Sequence, residues 1–275
     1  MPLELSSRVR LFADDTIVYI AISNSTDCEK LQSDLDKLAD WENKWLMNFH
    51  PDKCNVLSIT KNRKPRIFNY RLRHHTLEHV PAAKYLGLNI TSDLKWTQHI
   101  NSICGKANST IGFLKRNINI SNKTIKEKAY KSLVRPSLEY ACSVWDPHLL
   151  TDIRKLEMVQ RRAARYVLNR YHNRSSVSDM IQQLDWPPLE HRRKNARLTM
   201  MYKMTHGLVN IQNKDKIVAN QRHSRNNNSM SYQLPTSRTD ARKESFYPRT
   251  IRDWNTLPTS TVSAKSLEAF KTLLP

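Results

Sequence analysis

Glycine is scarce in this sequence, and its scarcity excludes two large classes of phosphate-binding protein. The 275 residues contain four glycines, whereas average usage of roughly 7% predicts about nineteen. Neither a G-x-x-x-x-G-K loop nor a G-x-G-x-x-G turn occurs, and both motifs need glycine so that backbone N–H groups can approach phosphates closely. A P-loop NTPase and a Rossmann dinucleotide-binding enzyme are therefore excluded.

Long apolar runs and clustered cysteines are also missing. The longest unbroken apolar run covers residues 17–22, far short of the roughly 18 to 20 residues that span a bilayer. The first ten residues contain two arginines and no apolar signal-peptide core. The four cysteines are too widely spaced for a CxxC zinc motif or a dense disulfide framework. We therefore expect a protein that is not secreted, that works in the nucleus or the cytoplasm, and that has no membrane partner.

Basic residues, by contrast, are in large excess. Lys and Arg number 45 against 25 Asp and Glu, so the formal net charge is +20. Residues 1–150 hold 22 basic and 15 acidic side chains, and residues 151–275 hold 23 and 10. The C-terminal part is the more cationic. This excess predicts a polyanionic partner, and nucleic acid is the simplest one.

The hydrophobic pattern predicts an α+β fold with strands in the first ninety residues and helices after them. Strands are predicted at 8–12, 16–22, 54–60, 66–70 and 84–90. A capping-box pattern, Thr26-x-x-Glu29, predicts the start of a helix that reaches about residue 49. Further helices are predicted at about 96–114, 123–134, 152–169, 189–206 and 266–274. The polar stretch 210–247 has few apolar positions and predicts a linker.

Two adjacent acids, Asp14 and Asp15, form the sharpest chemical feature. They lie between the first two predicted strands, and Asp is also common in ordinary turns. The flanking residues are apolar, so we expect both charges beside a core, where they are costly without a cation. Carboxylates on a hairpin suit phosphoryl transfer by two metal ions. Asp14 is the expected ligand and Asp15 supports it, because neighbouring strand residues face opposite sides.

Five segments in register resemble the reverse transcriptases of non-LTR retrotransposons, in particular those of jockey-like elements. The first is Phe12-Ala13-Asp14-Asp15, which resembles the catalytic hairpin motif of that family. The next two, residues 48–54 (NFHPDKC) and 84–88 (KYLGL), resemble a later palm motif and the primer grip. Residues 156–165 and 248–258 resemble segments that follow the polymerase core. The similarity covers nearly the whole chain.

The resemblance implies an architecture and a catalytic site. Residues 1–92 would be part of a polymerase palm, 93–170 a helical thumb-like region, and 171–275 a basic helical extension that contains the polar linker. Asp14 and Asp15 would be catalytic metal ligands for Mg²⁺ or Mn²⁺. Lys53, also catalytic, would lie near the incoming nucleotide and act on the pyrophosphate leaving group.

The resemblance also implies a nucleic-acid path. Tyr85, Leu86 and Gly87 would form the primer grip. The expected partners are an RNA template and a DNA primer, with dNTP in the parent enzyme. Arginines on two predicted helices would contact the nucleic-acid backbone, although a solvated helix face is the alternative interpretation. These residues are Arg161, Arg162, Arg165, Arg192, Arg193 and Arg197.

Motifs that the family places before the hairpin do not occur in the eleven residues before Phe12. The family needs another palm aspartate there and a Gln-Gly-containing motif. We therefore expect a fragment of an RNA-directed DNA polymerase that begins inside the palm and whose two-metal site is incomplete. A separate upstream polymerase fragment would be the partner that completes it. The alternative is a non-catalytic basic remnant that only binds nucleic acid.

Overall fold

The computed structural model divides the chain into two compact units, Met1–His99 and Ile100–Pro275. It describes residues 5–46, 49–62, 64–118, 121–172, 174–211, 216–221, 228 and 230–275. The structure is 53% helical and 11% strand, which agrees with the α+β class expected from the sequence. In the described residues, no helix combines the length and the apolar character needed to cross a membrane.

The first unit begins with the predicted hairpin. Strand β1 (Arg8–Phe12) pairs antiparallel with β2 (Asp15–Tyr19). Phe12 lies opposite Asp15, and Ala13 in the turn between them has a left-handed φ of 51°. The pairing stops at Tyr19. The observed strand therefore ends three residues before Ile22, where the β-branched sequence predicted its end.

Helix α1 (Ser25–Trp45) packs on the short strands that follow it. Its capping box is formed by Asn24 and Asp27, two positions before the Thr26–Glu29 pattern that the sequence suggested. The helix ends at Trp45 instead of residue 49, because Leu46 adopts a left-handed φ of 54°. The buried apolar cluster of this unit consists of Cys28, Ala39, Tyr70, Leu72 and Leu77.

The remaining strands of this unit are short and form separate pairs. They are β3 (Asn55–Val56), β4 (Arg71–Leu72), β5 (His75–Thr76), β6 (Glu78–His79), β7 (Ala82–Tyr85) and β8 (Leu88–Thr91). Strand β3 pairs parallel with β6, whereas β4 pairs with β5 and β7 with β8 antiparallel. The strand predicted at 66–70 is irregular chain. The strand predicted at 84–90 is instead a hairpin that turns at residues 86–87.

The second unit opens with helix α2 (Thr97–Asn117) and a second helical segment. That segment comprises α3 (Lys123–Ala129), a π-helical turn at Tyr130–Val134 and α4 (Arg135–Glu139). The helix predicted over about 123–134 therefore continues further, and Pro136 lies in the first turn of α4, a position that suits its fixed φ.

Four helices form the middle of this unit. They are α5 (Cys142–Trp145), α6 (Leu150–Leu168), α7 (Val177–Gln183) and α8 (Leu189–Thr205). The bounds of α6 and α8 match the sequence prediction to within two residues. Buried Tyr130 stacks on Trp186 with ring centroids 4.4 Å apart and donates to Gln160 Oε1 at 3.1 Å. These contacts join the segment before α4 to α6 and to the stretch between α7 and α8.

The chain closes with α9 (Asp240–Lys243), α10 (Phe246–Asn255), α11 (Thr259–Val262) and α12 (Leu267–Leu273). Their core includes Phe270, which stacks on Trp254 and on Tyr202 of α8. Described residues of the predicted linker contribute to this core. Asn228 is buried and donates to the carbonyl of Trp254 at 2.8 Å, and Tyr232 pairs with Ala219 in an isolated bridge. Residues 212–215, 222–227 and 229 of that stretch lie outside the described residues.

Candidate nucleic-acid interface

The acidic pair lies at the tip of the β1–β2 hairpin and faces water. Asp14 is in the turn, Asp15 is the first residue of β2, and both are exposed. Leu11 and Phe12 before them are 54% and 64% exposed. The expectation that these charges lie beside a core is therefore wrong for this structure. No burial cost requires a cation at the pair.

A two-metal centre does not fit the described residues on their own. Nowhere in the described ranges do three His, Cys, Asp or Glu side chains come together as a metal-binding group. Mg²⁺ prefers an octahedral set of oxygen ligands, and two neighbouring exposed carboxylates supply only part of one. The metal-binding roles of Asp14 and Asp15 stay predictions.

Lys53 lies at the end of a 3₁₀ turn, Pro51–Lys53. Its backbone N–H donates to the carbonyl of His50 at 3.0 Å, and its side chain is exposed. Its ammonium group has no ion-pair partner among the residues that the structure describes. An unpaired exposed lysine is able to meet a phosphate, which is consistent with the role that the resemblance implies.

The predicted primer-grip residues form the tight turn of the β7–β8 hairpin. Tyr85 is the last residue of β7, and it pairs with Leu88 of β8. Leu86 and Gly87 between them have φ values of 45° and 81°. Positive φ at both central positions is typical of a two-residue hairpin turn, and glycine adopts it without strain. The turn is observed, and its contact with a primer stays a prediction.

The arginines predicted to bind nucleic acid fall into two groups, and those of α6 face solvent. Arg161 and Arg162 are exposed and Arg165 is half-buried. Arg162 Nη1 donates to Asn108 Oδ1 at 3.0 Å, which holds this side chain against α2 without neutralising it. These three guanidinium groups are free to meet phosphates.

The three arginines of α8 form ion pairs with acidic residues of the protein. Arg192 forms a two-pronged ion pair with Glu139, in which Nη2 lies 3.0 Å from Oε2, and this contact raises the pKa of Arg192. Arg193 and Arg197 are 0% and 2% exposed. A guanidinium without exposed surface cannot reach a phosphate in this conformation. Their burial corrects the sequence-based prediction for Arg193 and Arg197, which we leave out of the interface.

Asp146, directly after α5, is the acid that holds these buried arginines. Its Oδ1 accepts from Arg193 Nε at 2.8 Å and its Oδ2 from Arg197 Nε at 2.8 Å. Arg249 of α10 donates through Nη1 to the backbone carbonyls of Asp146 and Pro147 at 2.8 and 3.2 Å. Burial lowers the pKa of Arg249, and the charge of Asp146 opposes that shift.

Sequence reasoning missed this network, although one signal for it is present. Leu189, Arg193, Arg197 and Met201 recur every four residues on α8, and all four are buried. Residues four apart share a helix face. Their common spacing with Leu189 and Met201 therefore placed the two arginines on the apolar face. Asp146 offered no comparable pattern.

An open cavity of about 560 Å³ borders this network. Several charged side chains that line it form ion pairs with one another. Arg252 Nη2 lies 3.1 Å from Glu244 Oε2, and Arg197 Nη2 lies 2.9 Å from Asp253 Oδ2. These internal pairs neutralise the lining, so the cavity is a weak candidate for a phosphate site.

Comparison with known proteins finds similarity to polymerases of retrotransposons. It is 29% identical over 168 residues to the RNA-directed DNA polymerase from mobile element jockey of Drosophila funebris. It is 24% identical over 163 residues to the protein of the same description from Drosophila melanogaster. The chain is related to jockey-type reverse transcriptases. Each match covers 58% of this chain and 18% of the jockey-type polymerase. No protein-family model and no solved structure matches the chain.

Proposed function

We propose that this chain is a nucleic-acid-binding segment of a jockey-type reverse transcriptase, and that it holds the template–primer without completing nucleotidyl transfer by itself. The similarity to two jockey RNA-directed DNA polymerases carries the proposal. The net charge of +20 and the exposed arginines of α6 support it. The parent reaction is RNA-directed DNA synthesis, with an RNA template, a DNA primer and dNTP as partners.

The proposed lack of activity in isolation follows from the described site. Two-metal phosphoryl transfer would need a larger set of carboxylates to hold the ions, and the described residues offer only the exposed pair at the hairpin tip. A further polymerase segment would have to supply the remaining ligands. Lys53 and the 86–87 turn would then contribute to the nucleotide and primer sites of the completed enzyme.

A primer-extension assay tests the catalytic part of the proposal. The chain alone is incubated with oligo-dT on poly-rA, dTTP and either Mg²⁺ or Mn²⁺. We expect no incorporation above background. Incorporation that the Asp14→Asn variant abolishes would overturn the proposed incompleteness, because it would show that this chain assembles a working metal site.

The exposure of the acidic pair favours a second candidate function, in which the chain binds nucleic acid and catalyses no reaction. Asp14→Asn combined with Asp15→Asn separates the two in a complex with the remaining polymerase segment. A reverse transcriptase would lose synthesis and keep its salt-dependent binding. If the chain only binds nucleic acid, the unmodified protein already shows no synthesis. Removal of the two negative charges then leaves its nucleic-acid binding unchanged or makes it slightly stronger.

A further inference from the structure

One face of helix α6 carries a row of five cations, with the exposed side chain of Met158 among them. Positions i, i+1, i+7, i+8 and i+11 share a helix face. On α6 they are occupied by Arg154, Lys155, Arg161, Arg162 and Arg165. Four of these side chains are exposed and Arg165 is half-buried. Such a row is costly in isolation because like charges repel, and it is favourable beside a polyanion.

The two acids of α6 do not neutralise this row from the solvent side. Asp152 is 2% exposed and lies beneath Lys155, with Oδ1 3.2 Å from Lys155 Nζ. Glu157 borders the row, three residues after Arg154 and four before Arg161. It is half-buried, and its Oε1 accepts from the backbone N–H of Glu190 at 3.0 Å. Arg154, Arg161 and Arg165 have no ion-pair partner among the described residues.

Helix α2 lies beside this row and fixes its position. Lys155 Nζ donates to Asn101 Oδ1 at 2.8 Å, and Arg162 Nη1 donates to Asn108 Oδ1 at 3.0 Å. Both pairs are 54 residues apart in sequence, so the two helices run parallel in a fixed register. The sequence of α2 contains no acidic residue. Helix α2 therefore adds no negative charge beside the row.

We propose that this α2–α6 face is the surface that contacts the sugar–phosphate backbone of a nucleic-acid duplex, independently of base sequence. The proposal rests on the proposed function and assigns it to one surface. Arg154 and Arg165 are eleven residues apart, which is about 16 Å along the helix axis. One strand of a duplex presents a phosphate about every 3.4 Å of axis, so about five phosphates lie along that length. The number of cations on this face of α6 therefore equals the number of phosphates within their reach.

The test compares two charge-matched variants of the full chain. The first variant combines Arg154→Gln, Arg161→Gln and Arg165→Gln, which removes three cations that have no described ion-pair partner. The control combines Arg242→Gln, Lys243→Gln and Lys265→Gln, which are exposed residues of the same unit. Both lose three charges. Circular dichroism confirms that each variant is folded.

Fluorescence anisotropy with a labelled RNA–DNA hybrid, measured over a series of KCl concentrations, gives the readout. Neutralisation of about five phosphates predicts a log–log salt slope of about −4.5 for the unmodified chain. The α6 variant should lose about 2.7 from the magnitude of that slope and bind at least about tenfold more weakly at 0.1 M salt. The control should keep its slope to within about one unit. A second hybrid of different sequence should give the same values.

The outcomes separate this inference from the function on which it rests. If the unmodified chain shows no salt-dependent binding, the proposed nucleic-acid function fails. If the unmodified chain binds but both variants lose slope equally, the function stands and the assignment to α6 is overturned. If the α6 variant keeps the full slope, the assignment is overturned as well, whatever the control does. Loss of slope confined to the α6 variant supports it.

Discussion

Asp146 shows how one side chain decides the role of several others. It is 7% exposed and pairs with two fully buried guanidinium groups of α8. Burial of an ion pair gains little stability over apolar packing, but removal of one partner leaves charges buried without compensation. Arg193 is the extreme case, because its two Nη atoms are already buried without a hydrogen-bond partner. The arrangement therefore depends on a single carboxylate.

Asp146→Asn should lower the free energy of unfolding by about 3 to 5 kcal/mol, because three arginines would remain around an uncharged amide. Urea denaturation followed by circular dichroism measures it. Glu268→Gln is the control, since Glu268 is an exposed acid whose only described ion pair is with Lys271, and it should change stability by less than about 0.5 kcal/mol. A loss below about 1 kcal/mol in Asp146→Asn would contradict this account of the network.

At the scale of elements, local hydrogen bonds set where helices begin. The side chain of Asn24 accepts from the backbone N–H of Asp27 at 3.0 Å. In return, the Asp27 carboxylate accepts from the N–H groups of Ser23 and Asn24 at 2.9 and 3.2 Å. These bonds lower the pKa of Asp27. The Thr26–Glu29 pattern has the right residue types, but Thr26 already lies inside the helix.

Asn24→Ala should destabilise the first unit by about 1 kcal/mol, the usual cost of losing an N-cap. Thr26→Ala is the matched control. It removes the residue that the sequence pattern favoured as the cap, and it should change stability by less than about 0.5 kcal/mol. Urea unfolding monitored by the helical circular dichroism signal gives both values. The reverse order of effects would show that the helix begins at Thr26 in solution.

At the scale of the whole molecule, the second unit buries two cysteine thiols that are able to ionise at alkaline pH. Cys104 and Cys142 are 8% and 5% exposed. Burial raises the pKa of Cys104 to about 11. Burial also raises the pKa of Cys142 to about 11, and the nearby carboxylates of Asp146 and Glu139 add to that effect. The folded state therefore keeps both thiols neutral.

Alkaline pH should therefore weaken the fold. The thiols ionise from about pH 9 in the unfolded chain and only near pH 11 in the folded one. Unfolding thus releases protons in this window, and the stability that is fully present below pH 9 is lost as the pH rises to 11. Urea midpoints under reducing conditions at several pH values measure the decline.

A double variant, Cys104→Ala with Cys142→Ala, provides the comparison for this decline. Alanine does not titrate, so the variant should lose less stability between pH 9 and 11 than the unmodified chain, although cavities make it less stable at every pH. An equally steep decline in both proteins would show that other groups, such as tyrosines, control the alkaline limit.

The sequence by itself determined the α+β class, the β1–β2 hairpin, the positions of α6 and α8 and the similarity to jockey-type polymerases. These features depend on local periodicity, turn chemistry and motif order, which neighbouring residues specify among themselves. The turn at residues 86–87 is not among them, because the hydrophobic pattern predicted a single strand over 84–90.

Only the tertiary structure decided which charged groups meet solvent. Arg162 and Arg193 were both predicted to bind nucleic acid, yet one is exposed beside Asn108 and the other is enclosed with Asp146. The hairpin acids likewise have apolar sequence neighbours and still face water. Burial depends on segments far away along the chain that pack over a side chain, and no local pattern encodes which segment arrives there.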